Sequence, residues 1–210
     1  MAKQGKNKII TSAFQLFLEH GYHGVSLSDI ISATSLSKGA IYHHFDSKYA
    51  IYLAAIEEYF FKILQMEFPE DDHLAIHVRL KKRYESFINI IDFVEHIGDS
   101  GIEFPIRSYF IFQLESERDE YILKRVKKAM NKYRQEITKM VKSAFESNEI
   151  HTEIAPSILA KQIMSMIEGI VIHHSSTKRN CKKVLMKQYD EVIVSYLNQL
   201  MQVTHSSTHS

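Results

Sequence analysis

Residues that interrupt regular backbone structure are scarce in this chain, which holds only 7 glycines and 3 prolines among 210 residues. Glycine and proline are the residues that most often end helices and form the turns between strands. Their scarcity therefore favours long helices and disfavours an architecture of strands and tight turns. Because 45% of the residues are hydrophobic and 24% are charged, the chain also has the composition of a folded globular protein.

Between these interruptions the apolar residues recur at helical spacing, so we predict an all-α fold with about nine helices and no strand. The first helix is expected from about Lys3 to His20, and the longest from Arg118 to Ser147. Pro156 marks the start of the helix expected over 158–174, because proline is common at the first helical position. Further helices are predicted over residues 28–34, 38–43, 49–68, 74–97 and 182–201.

Net charge alone gives no reason to expect a nucleic-acid partner, because 26 basic and 25 acidic residues leave a formal net charge of +1. Domains that bulk charge identifies as nucleic-acid binding are far more basic. Residues 1–50 contain five lysines against three acidic residues, which is a slight excess. Any contact with DNA must therefore depend on a few directed side chains.

The sequence has the features of a cytoplasmic protein. Cys181 is the only cysteine, which excludes a disulfide framework and fits a reducing compartment. The N-terminal segment lacks the uninterrupted apolar core of a signal peptide. The longest uncharged apolar stretch is far shorter than the roughly 20 residues that cross a bilayer, so no membrane contact is expected.

The segment most informative about function is residues 25–48, VSLSDIISATSLSKGAIYHHFDSK. Ser26 and Asp29 have the spacing of a capping box, in which each side chain accepts a hydrogen bond from the other residue's backbone. Ser37 can cap the second short helix in a similar way. Two short helices joined by a tight turn behind an amphipathic helix form a helix-turn-helix, whose second helix enters the major groove of DNA.

The second short helix begins with small residues and ends with a phenol and imidazoles. Gly39 and Ala40 would let the helix approach the groove closely, and Lys38 could reach base edges or phosphates. Tyr42 and His43 could donate hydrogen bonds to phosphate oxygens. This pattern predicts a DNA-reading surface on the helix.

With these residues the chain resembles the TetR family of transcriptional regulators. The family's pattern, Ala-Gly-Val-Ser-x-Gly-x-x-Tyr-x-His-Phe-x-Ser-Lys, is matched here by Ser37, Gly39, Tyr42, His44, Phe45, Ser47 and Lys48. Ile31 and Thr34 stand where a small alanine is usual, and Ser35 replaces the turn glycine. If that turn needs a positive φ, Ser35 costs on the order of 1 kcal/mol.

The resemblance implies a homodimeric, ligand-responsive repressor that binds a palindromic double-stranded operator. It implies a helix-turn-helix DNA-binding domain over residues 1–50. Residues 51–210 would then form an effector-binding and dimerisation domain, with the dimer made by the last two helices. The candidate DNA-binding residues are Ser26, Ser28, Ser37, Lys38, Gly39, Ala40, Tyr42, His43, His44 and Lys48.

Two further residue sets are predicted in the larger domain. Aromatic and methionine side chains there favour a small hydrophobic or aromatic effector, with the candidates Phe87, Phe93, Phe104, Arg107, Phe110, Met164 and Ile167. The apolar residues of the last two helices supply the candidate dimer residues Leu159, Ile163, Ile170, Tyr189, Ile193 and Tyr196. Gly169, alone in an apolar helix, indicates close helix packing, either within the chain or across a dimer interface.

The alternative function is a helical protein that contacts other proteins, or carries a small molecule, and binds DNA only non-specifically. The intact run from His44 to Lys48 disfavours a carrier. The sequence lacks catalytic motifs such as Gly-x-Ser-x-Gly and His-Glu-x-x-His, so no catalytic residue, cofactor or enzyme activity is expected. His73 and His77 lie one helical turn apart, but two ligands make a weak metal site, and no metal is expected.

Overall fold

The described part of the chain folds into nine helices. The computed structural model describes residues 2–61, 73–98 and 101–201, and no strand occurs within these ranges. The helices are α1 (Ala2–Gly24), α2 (Leu27–Thr34), α3 (Lys38–His44), α4 (Lys48–Ile56), α5 (Ile76–His96), α6 (Pro105–Ser116), α7 (Glu120–Glu146), α8 (Pro156–His173) and α9 (Cys181–Tyr189). The predicted all-α fold is confirmed. In the described ranges, no helix is both long and apolar enough to cross a bilayer.

Two of these helices continue through π-helical turns. Helix α4 runs on through Glu57–Phe61, and α9 runs on through Asp190–Val194 into Ser195–Met201. The helix predicted at the C-terminal end is therefore one long rod with a local change of pitch. The helix predicted over 49–68 is confirmed as far as residue 61, and its remainder lies outside the described residues.

Phe14, in the middle of α1, is fully buried and joins three parts of the fold. Its ring stacks on Tyr59 with the ring centres 4.3 Å apart, and it meets Phe112 of α6 edge-on at 5.1 Å. Phe93 of α5 stacks on the same Tyr59 at 5.0 Å. Helix α1 therefore shares one hydrophobic core with the helices that follow it, so the N-terminal helices pack directly against the rest of the chain.

Two carboxylates cap helices that lie far from them in the sequence. Glu149 accepts a hydrogen bond of 2.6 Å from the backbone N–H of Ile76 at the start of α5. Glu95, which is buried, accepts bonds of 2.6 and 2.8 Å from the N–H groups of Asn180 and Cys181 at the start of α9. Both acids satisfy N–H groups that have no partner inside the helix, and their charge suits its positive end.

Glycine allows the backbone to leave the helical conformation at the breaks that the sequence indicates. Gly21 has φ 68° and ψ 169°, so regular helix ends at about His20, as predicted. Gly101 has φ 67°, and a Cβ atom there would collide with the carbonyl oxygen of Glu95. A side chain at Gly101 would thus be excluded both by the backbone dihedral angle and by space.

Candidate nucleic-acid interface

Helix α2 begins with the predicted capping box. The backbone N–H of Ser26 donates to the Asp29 carboxylate over 2.7 Å, and the N–H of Asp29 donates to the Ser26 hydroxyl over 3.2 Å. Hydrogen bonding with Ser26 lowers the pKa of Asp29, so the cap keeps its charge. Two N–H groups at the start of the helix are satisfied, which fixes where α2 begins.

The turn between α2 and α3 has the geometry that a glycine would adopt more easily. Ser35 has φ 54° and ψ 23°, in the left-handed region. Thr34, buried just before it, donates its hydroxyl to the carbonyl oxygens of Ile30 (2.9 Å) and Ile31 (3.0 Å). The threonine hydroxyl is therefore satisfied, and the departure from alanine at this position leaves the turn intact.

We expect Ser35→Gly to stabilise the protein by up to about 1 kcal/mol, because glycine adopts positive φ without the steric penalty of a Cβ atom. Urea unfolding followed by circular dichroism measures the change. The control is Ser32→Gly, one turn earlier in α2, which should destabilise because glycine weakens a helix interior. Equal effects of the two variants would contradict this account of the turn.

Helix α3 is short and is held by its cap and by one buried side. The Ser37 hydroxyl accepts a hydrogen bond of 3.2 Å from the N–H of Ala40 at the helix start. Ile41 is fully buried, and Phe45, directly after the helix, is almost so. These residues pack into the same core as Ile30 of α2, and α3 also contacts α1. We call α1, α2 and α3 together the head.

The opposite side of α3 is exposed to solvent. Its exposed residues, which we call the reading face, are Ser37, Lys38, Gly39, Tyr42 and His43. Tyr42 is 45% exposed although it is a large aromatic residue, and the Lys38 ammonium lies 5.8 Å from the centre of its ring. A Cβ atom added to Gly39 would meet no atom within 4 Å. The face thus combines one cation, donors of hydrogen bonds and room for close approach.

The remaining candidate DNA-binding residues differ in exposure. Ser26 and Ser28 are exposed at the start of α2, whereas Ala40 and His44 are half-buried. His44 lies against α1, since a Cβ atom on Gly5 would be 3.2 Å from its Nε2 atom. Lys48 is also half-buried, and its ammonium donates to the carbonyl oxygens of Tyr22 (2.9 Å) and Val25 (2.7 Å).

Helix α4 is linked to α7 through Tyr49, the residue that follows Lys48. The Tyr49 hydroxyl donates to the Asp119 carboxylate over 2.8 Å, while the other oxygen of Asp119 caps α7 by accepting from the N–H of Ile122 at 3.0 Å. Both bonds lower the pKa of Asp119. One carboxylate therefore fixes the start of α7 and the start of α4 relative to each other.

The candidate effector residues are distributed over separate places. Phe87 and Phe110 pack around the buried Tyr109, but Phe93 lies on Tyr59 near α1. Phe104 and Arg107 form a cation–π contact near the surface, with the guanidinium carbon 4.0 Å from the ring centre. Met164 and Ile167 lie on α8, where Met164 is buried and Ile167 is half-buried. The structure does not unite the seven residues around one described cavity.

The assignment of dimer residues needs correction. Five of the six candidates are buried inside the chain itself and cannot present a surface to a partner: Leu159, Ile163, Ile170, Tyr189 and Ile193. They form the core-facing sides of α8 and of α9 with its π-helical continuation. Tyr196 alone of the six is only partly buried, and its hydroxyl donates to Gln162 of α8 over 2.9 Å.

Helix α8 also has a solvent-facing side, whose residues are not among the dimer candidates predicted from the sequence. This outer face of α8 consists of Ile158, Lys161, Gln162, Ser165, Gly169 and Ile172, all exposed. Ile158 and Ile172 are 46% and 51% exposed, and Ile158 lines an open groove of about 440 Å³ shared with Tyr196. A Cβ atom on Gly169 would meet nothing within 4 Å, so packing inside the chain does not require this glycine.

Groups with reactive or metal-binding chemistry show no convergence in the described ranges. No set of three or more His, Cys, Asp or Glu residues there could hold a metal ion. Cys181 is buried, and burial raises the pKa of its thiol to about 12, with the Glu95 charge adding to the effect. The thiol therefore stays protonated and unreactive at neutral pH.

The N-terminal part of the chain matches a known family model. Residues 9–55 match the model of the bacterial regulatory proteins of the tetR family. The chain is 44% identical over 52 residues to IcaR of Staphylococcus aureus strain Newman, the HTH-type negative transcriptional regulator of the biofilm operon icaADBC. That match covers 25% of this chain and 28% of the relative.

Solved structures resemble the chain over nearly its whole length. MexZ, a repressor responsible for antibiotic resistance in Pseudomonas aeruginosa, has a TM-score of 0.71 at 17% identity and covers 96% of this chain and 97% of its own. A TetR transcriptional regulator from Chloroflexus aurantiacus has a TM-score of 0.62 at 24% identity, covering 94% and 96%. At these identities the likeness establishes the fold alone. It includes the helices from α4 onward, which we call the body.

Proposed function

We propose that the chain is a DNA-binding transcriptional repressor, because residues 9–55 match the model of the bacterial regulatory proteins of the tetR family and the helical fold resembles that of the repressor MexZ. The proposal of negative regulation is supported by the 44% identity over 52 residues to IcaR, a negative regulator. Residues 1–50 would bind DNA, and residues 51–210 would carry the dimer interface and an effector site.

The observation that carries this proposal is the reading face of α3. A short helix that packs one side into the head leaves Lys38, Tyr42 and His43 exposed on the other. Such a helix can insert its first turn into a major groove, where Lys38 meets base edges or phosphates and the other two donate to the backbone. Exposed Ser26 and Ser28 at the start of α2 would add phosphate contacts.

A homodimer would present two reading faces to a palindromic operator. Half-sites would then lie about 34–36 Å apart, or somewhat more, so that both α3 helices reach successive major grooves. We propose that the outer face of α8, with Tyr196 beside it, forms the interface. Its exposed isoleucines supply apolar area, and Gly169 lets a partner helix approach closely.

Replacing both Ile158 and Ile172 with glutamate should raise the dimer dissociation constant by roughly 100-fold or more. The reason is that an unpaired carboxylate buried at an interface costs several kcal/mol. Sedimentation velocity at several concentrations measures the change. Leu114→Glu is the matched control, because Leu114 is 64% exposed on α6 and should leave the dimer unchanged. If the double variant remained as dimeric as the control, this interface would be ruled out.

We further propose that a small hydrophobic or aromatic molecule releases the repressor from its operator. The aromatic rings packed around Tyr109, between α5 and α6, support this class of ligand. Such an effector must bind the free protein more tightly than the DNA-bound form, so it would raise the melting temperature and weaken operator binding together.

Selection of bound duplexes from a random-sequence pool tests the proposed function. A repressor of this kind should enrich a palindrome with two half-sites about one helical turn apart or somewhat more. The alternative, a helical interaction or carrier protein with only non-specific DNA affinity, predicts that no sequence is enriched. Failure to enrich any sequence would therefore overturn the proposal and favour the alternative.

A further inference from the structure

The ammonium of Lys48 lies inside the head rather than on its reading face. Lys48 is the first residue of α4, and its Nζ donates to the carbonyl oxygens of Tyr22 (2.9 Å) and Val25 (2.7 Å). The same Nζ lies 4.1 Å from the centre of the Tyr22 ring. One cation thus engages two backbone acceptors and one aromatic face.

Both acceptors lie between Gly21 and α2, Tyr22 in the last residues of α1 and Val25 in the link that follows it. The N–H groups four residues further on, those of Ser26 and Asp29, donate instead to side chains of the capping box, so neither carbonyl oxygen has a regular helical partner. The segment then leads directly to Ser26, whose capping box starts α2. Hydrogen bonds from a charged donor are shorter and stronger than neutral ones, so Lys48 holds this segment in place.

The aromatic ring beneath the ammonium extends the contact into the core. The Tyr22 ring lies 4.5 Å from that of Tyr52 on α4 and 6.0 Å from that of Phe17 on α1. Lys48 therefore connects the end of α1, the start of α2 and the start of α4. Movement of residues 21–26, which we call the α1–α2 joint, would change the angle at which α2 and α3 are presented to DNA.

We propose that Lys48 is a positioning residue. It orients the helix-turn-helix by fixing the α1–α2 joint through hydrogen bonds, and it does not neutralise an operator phosphate. This inference rests on the proposed DNA-binding function and deepens it. Lys38 provides the internal comparison, because it is exposed on the reading face, where its ammonium contacts only the ring of Tyr42 among the described partners. The two lysines should therefore respond differently to salt.

Salt dependence separates the two roles. Each phosphate that a lysine neutralises contributes about 0.9 to the slope of log affinity against log salt concentration, through release of counterions. Loss of a phosphate contact from both subunits of a dimer should therefore flatten the slope by about 2. Loss of a positioning residue should weaken binding at every salt concentration and leave the slope unchanged.

The experiment titrates the selected operator duplex with the full chain at five salt concentrations, well below the melting temperature. Lys48→Met should weaken binding roughly tenfold or more with an unchanged slope, and should accelerate amide exchange of residues 22–26. Lys38→Met should flatten the slope and leave that exchange unchanged. Lys48→Gln, which keeps a donor but no charge, should recover part of the affinity that methionine loses and again leave the slope unchanged.

A flattened slope for both Lys48 variants, with wild-type exchange at residues 22–26, would overturn the proposal and make Lys48 a phosphate contact. If the wild-type chain selected no operator, the proposed function would fail instead. The exchange measurement on free protein would still test whether Lys48 fixes the α1–α2 joint. Unchanged exchange in Lys48→Met and Lys48→Gln would then refute it.

Discussion

Replacing Lys38, Tyr42 and His43 together with alanine should reduce operator affinity by a factor of about 100 or more. Each contact to a base edge or phosphate contributes about 1–3 kcal/mol, and a dimer loses every contact twice. The three side chains are exposed, so their removal should change the free energy of unfolding by no more than about 0.5 kcal/mol. Fluorescence anisotropy with a labelled operator at fixed salt measures the affinity.

The matched control for this variant is Lys142→Ala, which removes the same positive charge from an exposed site on α7. It should leave operator affinity within about twofold of wild type, since α7 takes no part in the proposed contacts. An affinity of the triple variant within threefold of wild type, with dimer and fold intact, would show that the reading face has been assigned to the wrong residues.

Phe14→Ala should destabilise the protein by about 3–5 kcal/mol, which is a large part of the 5–15 kcal/mol that usually stabilises a domain. Phe14 is fully buried, and its ring contacts Tyr59 and Phe112 from two other helices. Truncation removes these contacts and leaves a cavity that the surrounding helices cannot fill completely. Chemical denaturation at constant protein concentration measures the loss.

Phe14→Leu is the control for volume, because leucine fills more of the site than alanine and should cost clearly less. Leu114→Ala, at an exposed position of α6, should be nearly neutral. A loss below 1 kcal/mol for Phe14→Ala would contradict the view that α1 and α6 share one tightly packed core. It would also favour a head that folds independently of the body.

The helix-turn-helix could be predicted from the sequence because its signals are local. Ser26 and Asp29 are three residues apart, and Ser37 caps the helix that it directly precedes. The family resemblance placed Ser35 at the position of a turn glycine, and Ser35 adopts the left-handed conformation there. Signals of this kind depend on neighbouring residues, so no tertiary contact is needed to interpret them.

The dimer residues could not be identified because α8 has two sides with apolar residues. Leu159 and Ile163 recur at helical spacing and form the core side, whereas Ile158 and Ile172 occupy the outer side. Periodicity shows that apolar residues line a side of the helix, but only packing decides which apolar side is buried within the chain. Burial within the folded chain therefore removes five of the six candidate dimer residues from any interface with a partner.

Long-range polar contacts were equally hidden. Lys48 fits a motif and so was interpreted as a DNA contact, yet its acceptors Tyr22 and Val25 lie more than 20 residues away in the chain. Glu95 caps α9 from about 85 residues away, and no local pattern marks it as a cap. Such roles arise only when the fold brings a charged group to an unsatisfied backbone group.

The central claim is that the reading face of α3 recognises a specific DNA sequence. Its most direct test is a competition titration, at one fixed salt concentration, of the selected palindrome against a scrambled duplex of the same length and composition. The account predicts that the palindrome binds at least about 1,000-fold more tightly, as specific repressors do. Affinities within tenfold of each other would contradict it.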